Sequence, residues 1–132
     1  DSRGRNHPSK EEAAWFDQQY ALERRGLIVI EEIEPTFQIR MPNFAGEIVD
    51  AFKVKGDLRV FDNTMKRRRW LDYKGKSGDT EISRLKHKCV LIQHGITIEL
   101  VGKYVERKER AKAKKASNRD LIRKSKKQTA QR

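Results

Sequence analysis

Nearly all the positive charge of this chain sits in its last thirty residues, and that asymmetry limits what can fold. From Lys103 to Arg132 there are 13 basic and 3 acidic residues, whereas residues 1–102 carry 18 basic and 16 acidic. Of the net +12, therefore, +10 belongs to the tail and +2 to everything before it. The tail interleaves lysine and arginine with alanine, with Leu121 and Ile122 as its apolar anchors, and cannot build a core of its own. The core must come from the preceding hundred or so residues, enough for one modest domain. Three segments are expected: a flexible N-terminal arm over 1–8, a folded domain over 9–102, and a basic tail over 103–132, disordered or helical on a partner.

Several classes fall away on composition. No run approaches the ~18–20 apolar residues of a membrane helix, and the tail has too few bulky apolar residues for stable membrane insertion. A lone Cys89 excludes an internal disulfide framework, and with three scattered histidines it argues against structural zinc. No charged-then-apolar leader is seen, and the chain opens at Asp1 rather than Met. An intracellular, cytoplasmic setting in a bacterium or phage-infected host is expected. A pI near 10 points to a polyanion partner, most often nucleic acid.

Along the chain, Ser9 with Glu12 three residues later reads as a capping box, opening a helix that runs to about Arg25 and stops at Gly26. Residues 27–32 and 36–40 read as strands separated by Pro35. A loop over 41–46 follows, then strands over 47–55 and 57–62 around Gly56. A basic connection leads into a strand over 69–74. Residues 75–78 (GKSG) force a turn. Asp79 or Thr80 caps a second helix to about Gln93, ended by Gly95, and residues 96–101 form a last strand. This order describes a small α/β domain, a mixed β-sheet flanked by helices, with a basic C-terminal tail.

One constellation carries chemistry. Asp57 opens a strand, and Asp72 and Lys74 share a face near the end of another, with Leu71 and Tyr73 on the opposite face. Carboxylates hold Mg²⁺ through oxygen. The metal then lowers the pKa of bound water, while a lysine steadies the water or the developing anion. The same triplet also reads as an exposed ion pair of little energetic weight. In the first helix Glu12 falls near the centre of an apolar arc of Ala13, Trp15, Phe16, Tyr20 and Leu22, with Glu11 at its edge and Glu23 also within it. A core-facing carboxylate is costly unless paired or metal-bound, although Glu12 also serves as the capping-box residue. In the second helix Lys86 and Gln93 fall inside an arc of Ile82, Leu85, Cys89 and Ile92. Either can reach a site on the sheet or snorkel outward.

Helix glutamate, strand aspartate, then Asp-x-Lys resembles the PD-(D/E)xK nuclease superfamily. The chain is similar in particular to short phage-associated endonuclease-like domains. The likeness rests on Ser9–Ala13 at the helix start, a helix-ending glycine, Pro35 and Phe37 in a Pro-x-Phe strand, and Asp57-Leu58. It continues through Asp72–Gly75 and then Thr80 with Lys86 downstream, spanning about residues 9–101. Gly56 stands where the motif commonly has proline, and Asp72 where glutamate is commoner. The resemblance implies a restriction-endonuclease-like fold and metal-dependent phosphodiester hydrolysis. Glu12, Asp57 and Asp72 would be the Mg²⁺ carboxylates (Mn²⁺ substituting), Lys74 the catalytic lysine and Lys86 an accessory phosphate contact.

Other residues suggest contacts with DNA. Lys66, Arg67, Arg68 and Arg69, with Lys76, can grip a backbone and Trp70 can stack, or the segment is a solvated hairpin tip with a core tryptophan. In the tail, Lys112, Lys114, Lys115, Arg123, Lys124, Lys126 and Lys127 read as phosphate contacts, or as a solubilising or partner-docking arm. Cys89 is expected in the core, and His7, His87 and His94 have no ligand spacing and no assigned role. The resulting expectation is a Mg²⁺-dependent endonuclease acting on DNA of a phage or mobile element, with a homodimer suited to cutting two strands. The alternative is a non-catalytic nucleic-acid-binding or virion or ribonucleoprotein assembly protein on the same scaffold.

Overall fold

The computed structural model describes residues 1–75 and 78–130. Lys76 lies outside them. Helix α1 (Lys10–Arg24) is capped by Ser9, whose hydroxyl accepts the Glu12 amide at 3.1 Å. It ends where Gly26 turns to φ 77°, a conformation that costs glycine little. Strands β1 (Ile28–Ile33), β2 (Thr36–Pro42), β3 (Ile48–Lys55), β4 (Leu58–Asp62) and β5 (Arg67–Tyr73) follow. Helix α2 (Glu81–His94), capped by Thr80 and closed by Gly95, leads to β6 (Ile98–Val101) and then α3 (Lys103–Ala130).

The molecule is mixed α/β, with its central sheet ordered β1-β4-β5-β6. Strands β1, β4 and β5 are antiparallel, and β6 runs parallel to β5 after crossing over through α2. The run of strands does not form one sheet, however. β2 and β3 pair only with each other, as a separate antiparallel hairpin. The chain leaves the sheet at Glu34, with φ 54°, and Pro35 has no N–H to continue a ladder.

Strand alternation divides the core in two. Leu58, Val60, Leu71 and Tyr73 pack with Trp15, Phe16, Tyr20 and Ile28 beneath α1. Ile98 packs with Val90 of α2 and with Phe37, Ile39 and Val54 of the hairpin, against which Trp70 and Cys89 also lie. The sheet is thus sandwiched between α1 and a layer made of α2 and the hairpin.

The apolar arc expected for α2 is wrong in phase. Ile82, Leu85 and Ile92 are 68%, 62% and 74% exposed, while Val90 is fully buried. Polar anchors set the helix rotation instead. Gln93 accepts from the Arg40 amide (2.9 Å) and donates to its carbonyl (2.7 Å), bonding to β2 as a neighbouring strand would. His94 meets the Gln38 carbonyl at 2.9 Å and His87 meets Asp72 at 3.2 Å.

The N-terminal arm folds back onto α1. The Asp1 carboxylate accepts from the Tyr20 hydroxyl (2.8 Å) and contacts His7 (2.7 Å), and His7 stacks on Phe16 at 4.2 Å. At the other end α3 is one 28-residue helix without a buried residue, about 42 Å long at 1.5 Å per residue. Its alanines and straight-chain lysines and arginines favour helix without any core. Its first turn is tied to the body through Lys103 to Glu11 at 2.8 Å and the Tyr104 amide to the Lys74 carbonyl.

Candidate active site

Two aspartates, one just before β4 and one on the neighbouring β5, form the centre of the candidate site. Asp57 lies just before β4, where its amide donates to the Leu71 carbonyl and its carbonyl accepts from Glu34 (2.9 Å each). The preceding Gly56 is buried and its N–H donates to the Pro35 carbonyl at 2.9 Å, a bond that proline at this position would lose. The Asp57 carboxylate accepts from the Tyr73 amide at 2.6 Å. Asp72, one residue earlier on β5, points to the α2 side. Its carboxylate meets Lys74 Nζ at 3.1 Å and His87 Nε2 at 3.2 Å.

The two carboxyls lie close enough to interact, and their environments pull them apart. Burial pushes Asp57 up to about 7, the nearby Asp72 and Glu12 push the same way, and the Tyr73 amide opposes them. Burial also works against ionised Asp72, but its hydrogen bonds with His87 and Asp57, together with Lys74, hold it below the ordinary carboxylate range. The two carboxyls therefore titrate as a pair, with Asp57 pushed up and Asp72 pushed down.

Glu12 is half-buried on α1 and near enough to raise Asp57, but its carboxylate meets His7 Nδ1 at 3.1 Å. The capping box is thus half realised: Ser9 serves the helix, while the glutamate turns to the histidine. Among the described residues, no three His, Cys, Asp or Glu side chains stand together as a ready metal cage. The structure brings Asp57, Asp72 and Lys74 together and leaves Glu12 beside them on its own partner. An all-oxygen donor pair in which burial, and then like charge, suppress one ionisation would suit a hard cation such as Mg²⁺.

Over Asp72 and Lys74 opens a cleft of about 440 Å³. Lys53 and Lys55 from β3, Lys86 and His87 from α2, and Thr80 and Ser83 at the α2 N-terminus complete its wall. Lys86 lines the cleft from the exposed face of α2, beside Ile82, whereas Gln93 holds the hairpin. His87, with no role assigned from sequence, is the residue that grips Asp72. Its signal was the Ser83, His87, Val90 spacing, one helix face whose members are all at least half-buried.

The other basic residues differ in availability. Arg68 forms a two-pronged pair with Glu31 (2.5 and 3.0 Å), Arg69 pairs with Glu99 (2.6 Å) and Asp62 (3.1 Å), and Arg67 with Glu99 (3.3 Å). Trp70 packs against the second core cluster rather than standing free to stack. Lys66 is exposed in the turn, and Lys112, Lys114, Lys115, Arg123, Lys124, Lys126 and Lys127 are exposed along α3. Among the described residues, no helix is long and apolar enough to cross a membrane. Compared with known proteins, the chain matches no family model, no curated protein and no solved structure.

Proposed function

We propose that this protein is a metal-dependent endonuclease that hydrolyses phosphodiester bonds in DNA, on a restriction-endonuclease-like core. The observation that carries the proposal is a buried Asp72 with Lys74 at 3.1 Å, in a cleft walled by three further lysines, and a half-buried Asp57 close enough to be raised by its charge. The order α1, β1, β4, β5, α2, β6, with the hairpin as an insertion, supports the same reading.

Asp57 and Asp72 would hold Mg²⁺ or Mn²⁺, with Glu12 contributing once it parts from His7. The bound ion would supply charge neutralisation at the phosphate and a more acidic water. Lys74 is placed to orient that water or steady the anion that develops on the phosphate. His87 holds Asp72 in position. The N-terminus of α2, with Thr80 and Ser83 in the cleft wall, favours a negative ligand through its aligned amides. Work on phage or mobile-element DNA would take place in the cytoplasm of a bacterium or infected host, and α3 would supply additional phosphate contacts.

The rival is a non-catalytic nucleic-acid-binding or assembly protein. It is favoured by the ion pairs that already satisfy Asp72 and Glu12. Supercoiled plasmid, linear duplex, branched and single-stranded DNA, and RNA separate the two. Nicking with Mg²⁺ or Mn²⁺ and none with EDTA is expected. Asp72→Asn and Lys74→Ala should each lower the rate at least ~100-fold, the scale of losing one preorganised electrostatic group, with binding retained. Failure of the wild type on every substrate, or full cleavage by Asp72→Asn, would overturn the assignment in favour of a scaffold.

A further inference from the structure

We propose that Lys53 and Lys55 of the β2–β3 hairpin, with Lys86 of α2, form a phosphate clamp that seats a nucleic-acid backbone in the cleft over Asp72 and Lys74. The clamp rests on the nuclease reading only in naming what the cleft receives; as a binding site it stands on its own geometry.

Strand alternation is the first support. Val54 is buried in the second core cluster, so Lys53 and Lys55 on either side of it share the opposite, exposed face of β3. Two positions apart on a strand, they lie roughly 7 Å from each other, and both reach the cleft wall. Lys86 joins from α2 across the opening.

Their availability is the second. Among the described residues, no carboxylate pairs with Lys53, Lys55 or Lys86. The arginines of β5, by contrast, are engaged by Glu31, Glu99 and Asp62. Releasing an arginine from a carboxylate to bind a phosphate exchanges one ion pair for another and gains little. An ammonium with only water around it displaces condensed counterions from the backbone and gains their entropy. The unpaired lysines, rather than the arginine-rich strand, are thus the first contacts for a backbone entering the site.

Placement is the third. The hairpin is docked by Phe37, Ile39 and Val54 against Val90 and by the Gln93 amide on Arg40. The lysines therefore stand on a braced element and hold their position relative to Asp72 without a loop having to order.

The test is equilibrium binding of a fluorescein-labelled 20-base-pair DNA duplex to the full chain, in EDTA, across a potassium chloride series. Each lost phosphate contact flattens the log-affinity against log-salt slope by about 0.9. Lys53→Gln/Lys55→Gln should flatten it by roughly 1.8, and adding Lys86→Gln by roughly 0.9 more. Lys53→Arg/Lys55→Arg should restore the wild-type slope, and all variants should melt with the wild type. An unchanged slope in the double glutamine variant overturns the clamp. A larger loss from Arg67→Gln/Arg68→Gln, or no binding by the wild type at low salt, does so too. Cleavage is scored separately in Mg²⁺: a flattened slope beside an inactive wild type would sink the nuclease proposal and leave the clamp standing.

Discussion

Asp57 keeps its proton to about pH 7 because burial, Asp72 and Glu12 all oppose its charge. An unfolded chain would release that proton near pH 4. Between those values the folded state binds more protons than the unfolded state, so this group lowers stability as pH rises through the window. Asp57→Asn removes the liability. It should raise Tm by roughly 5 °C at pH 8 and by clearly less at pH 5, as followed by thermal melting. Asp72 works in the opposite sense: its lowered pKa adds stability above the unfolded value that is lost in acid. Metal binding needs the ionised pair, so Mg²⁺ should stabilise the wild type more at pH 8 than at pH 6 and leave Asp57→Asn unmoved. A wild type whose melting ignores Mg²⁺ at both pH values would count against the metal site. The two adjacent glutamates separate in the same way. Glu12 acts on Asp57 and touches His7, whereas Glu11 pairs with Lys103 at the start of α3. Glu12→Gln should therefore reduce Mg²⁺-dependent cleavage at least ~10-fold, and Glu11→Gln less than 3-fold. Equal losses would show that α1 contributes no ligand.

Helix α2 holds one wall of the cleft by a narrow seam, and the seam is mostly polar. Val90 is its one fully buried apolar residue, against Ile98 and the hairpin. Removing two methyl groups there should cost about 2 kcal/mol. Val90→Ala is thus expected to lower the urea midpoint with an unchanged m-value. Ile82→Ser and Leu85→Ser, though they delete larger side chains, should stay within ~0.5 kcal/mol of the wild type, because both side chains are already in water. The reverse order of effects would restore the phase that the apolar pattern suggested. That pattern misled because periodicity registers only apolar side chains, whereas this rotation is set by Gln93, His94 and His87 on carbonyl, amide and carboxylate partners.

At the scale of the molecule, a near-neutral body carries a basic helix tied to it at its root. Lys103 and Tyr104 tie that root to Glu11 and to the Lys74 carbonyl, immediately beside the site. A truncation that tests electrostatics alone must therefore end after Arg110 and keep these contacts. It removes nine basic residues and one acidic residue. If about half of those basic residues reach phosphates, the salt slope on duplex DNA should flatten by roughly 4 units. Cleavage should fall at physiological salt and recover at low salt, since Asp57, Asp72 and Lys74 are untouched. An unchanged slope would make α3 a dock for a protein partner. Ending the chain at Gly102 instead is expected to disturb the site itself, through loss of the contact at Lys74.

Local physical chemistry determined most of the elements. Ser9 and Gly26 bound α1, Thr80 and Gly95 bound α2, and the alternation of Leu71, Asp72, Tyr73 and Lys74 placed carboxylate and lysine on one face before any tertiary contact was known. These signals depend on neighbours within about four residues, so they survive in the sequence. Tertiary structure alone decided which charges stay free. Arg68 meets Glu31 and Arg69 meets Glu99 across 37 and 30 residues, while Lys53 and Lys55 meet no carboxylate among the described residues. A count of basic residues weighs all of these alike. It also decided that Pro35 and Glu34 split the strands into two sheets, that His7 and His87 reach Glu12 and Asp72, and that Asp57 and Asp72 lie carboxyl to carboxyl. Each of those outcomes depends on where distant segments pack, and burial and charge pairing exist only after they have done so.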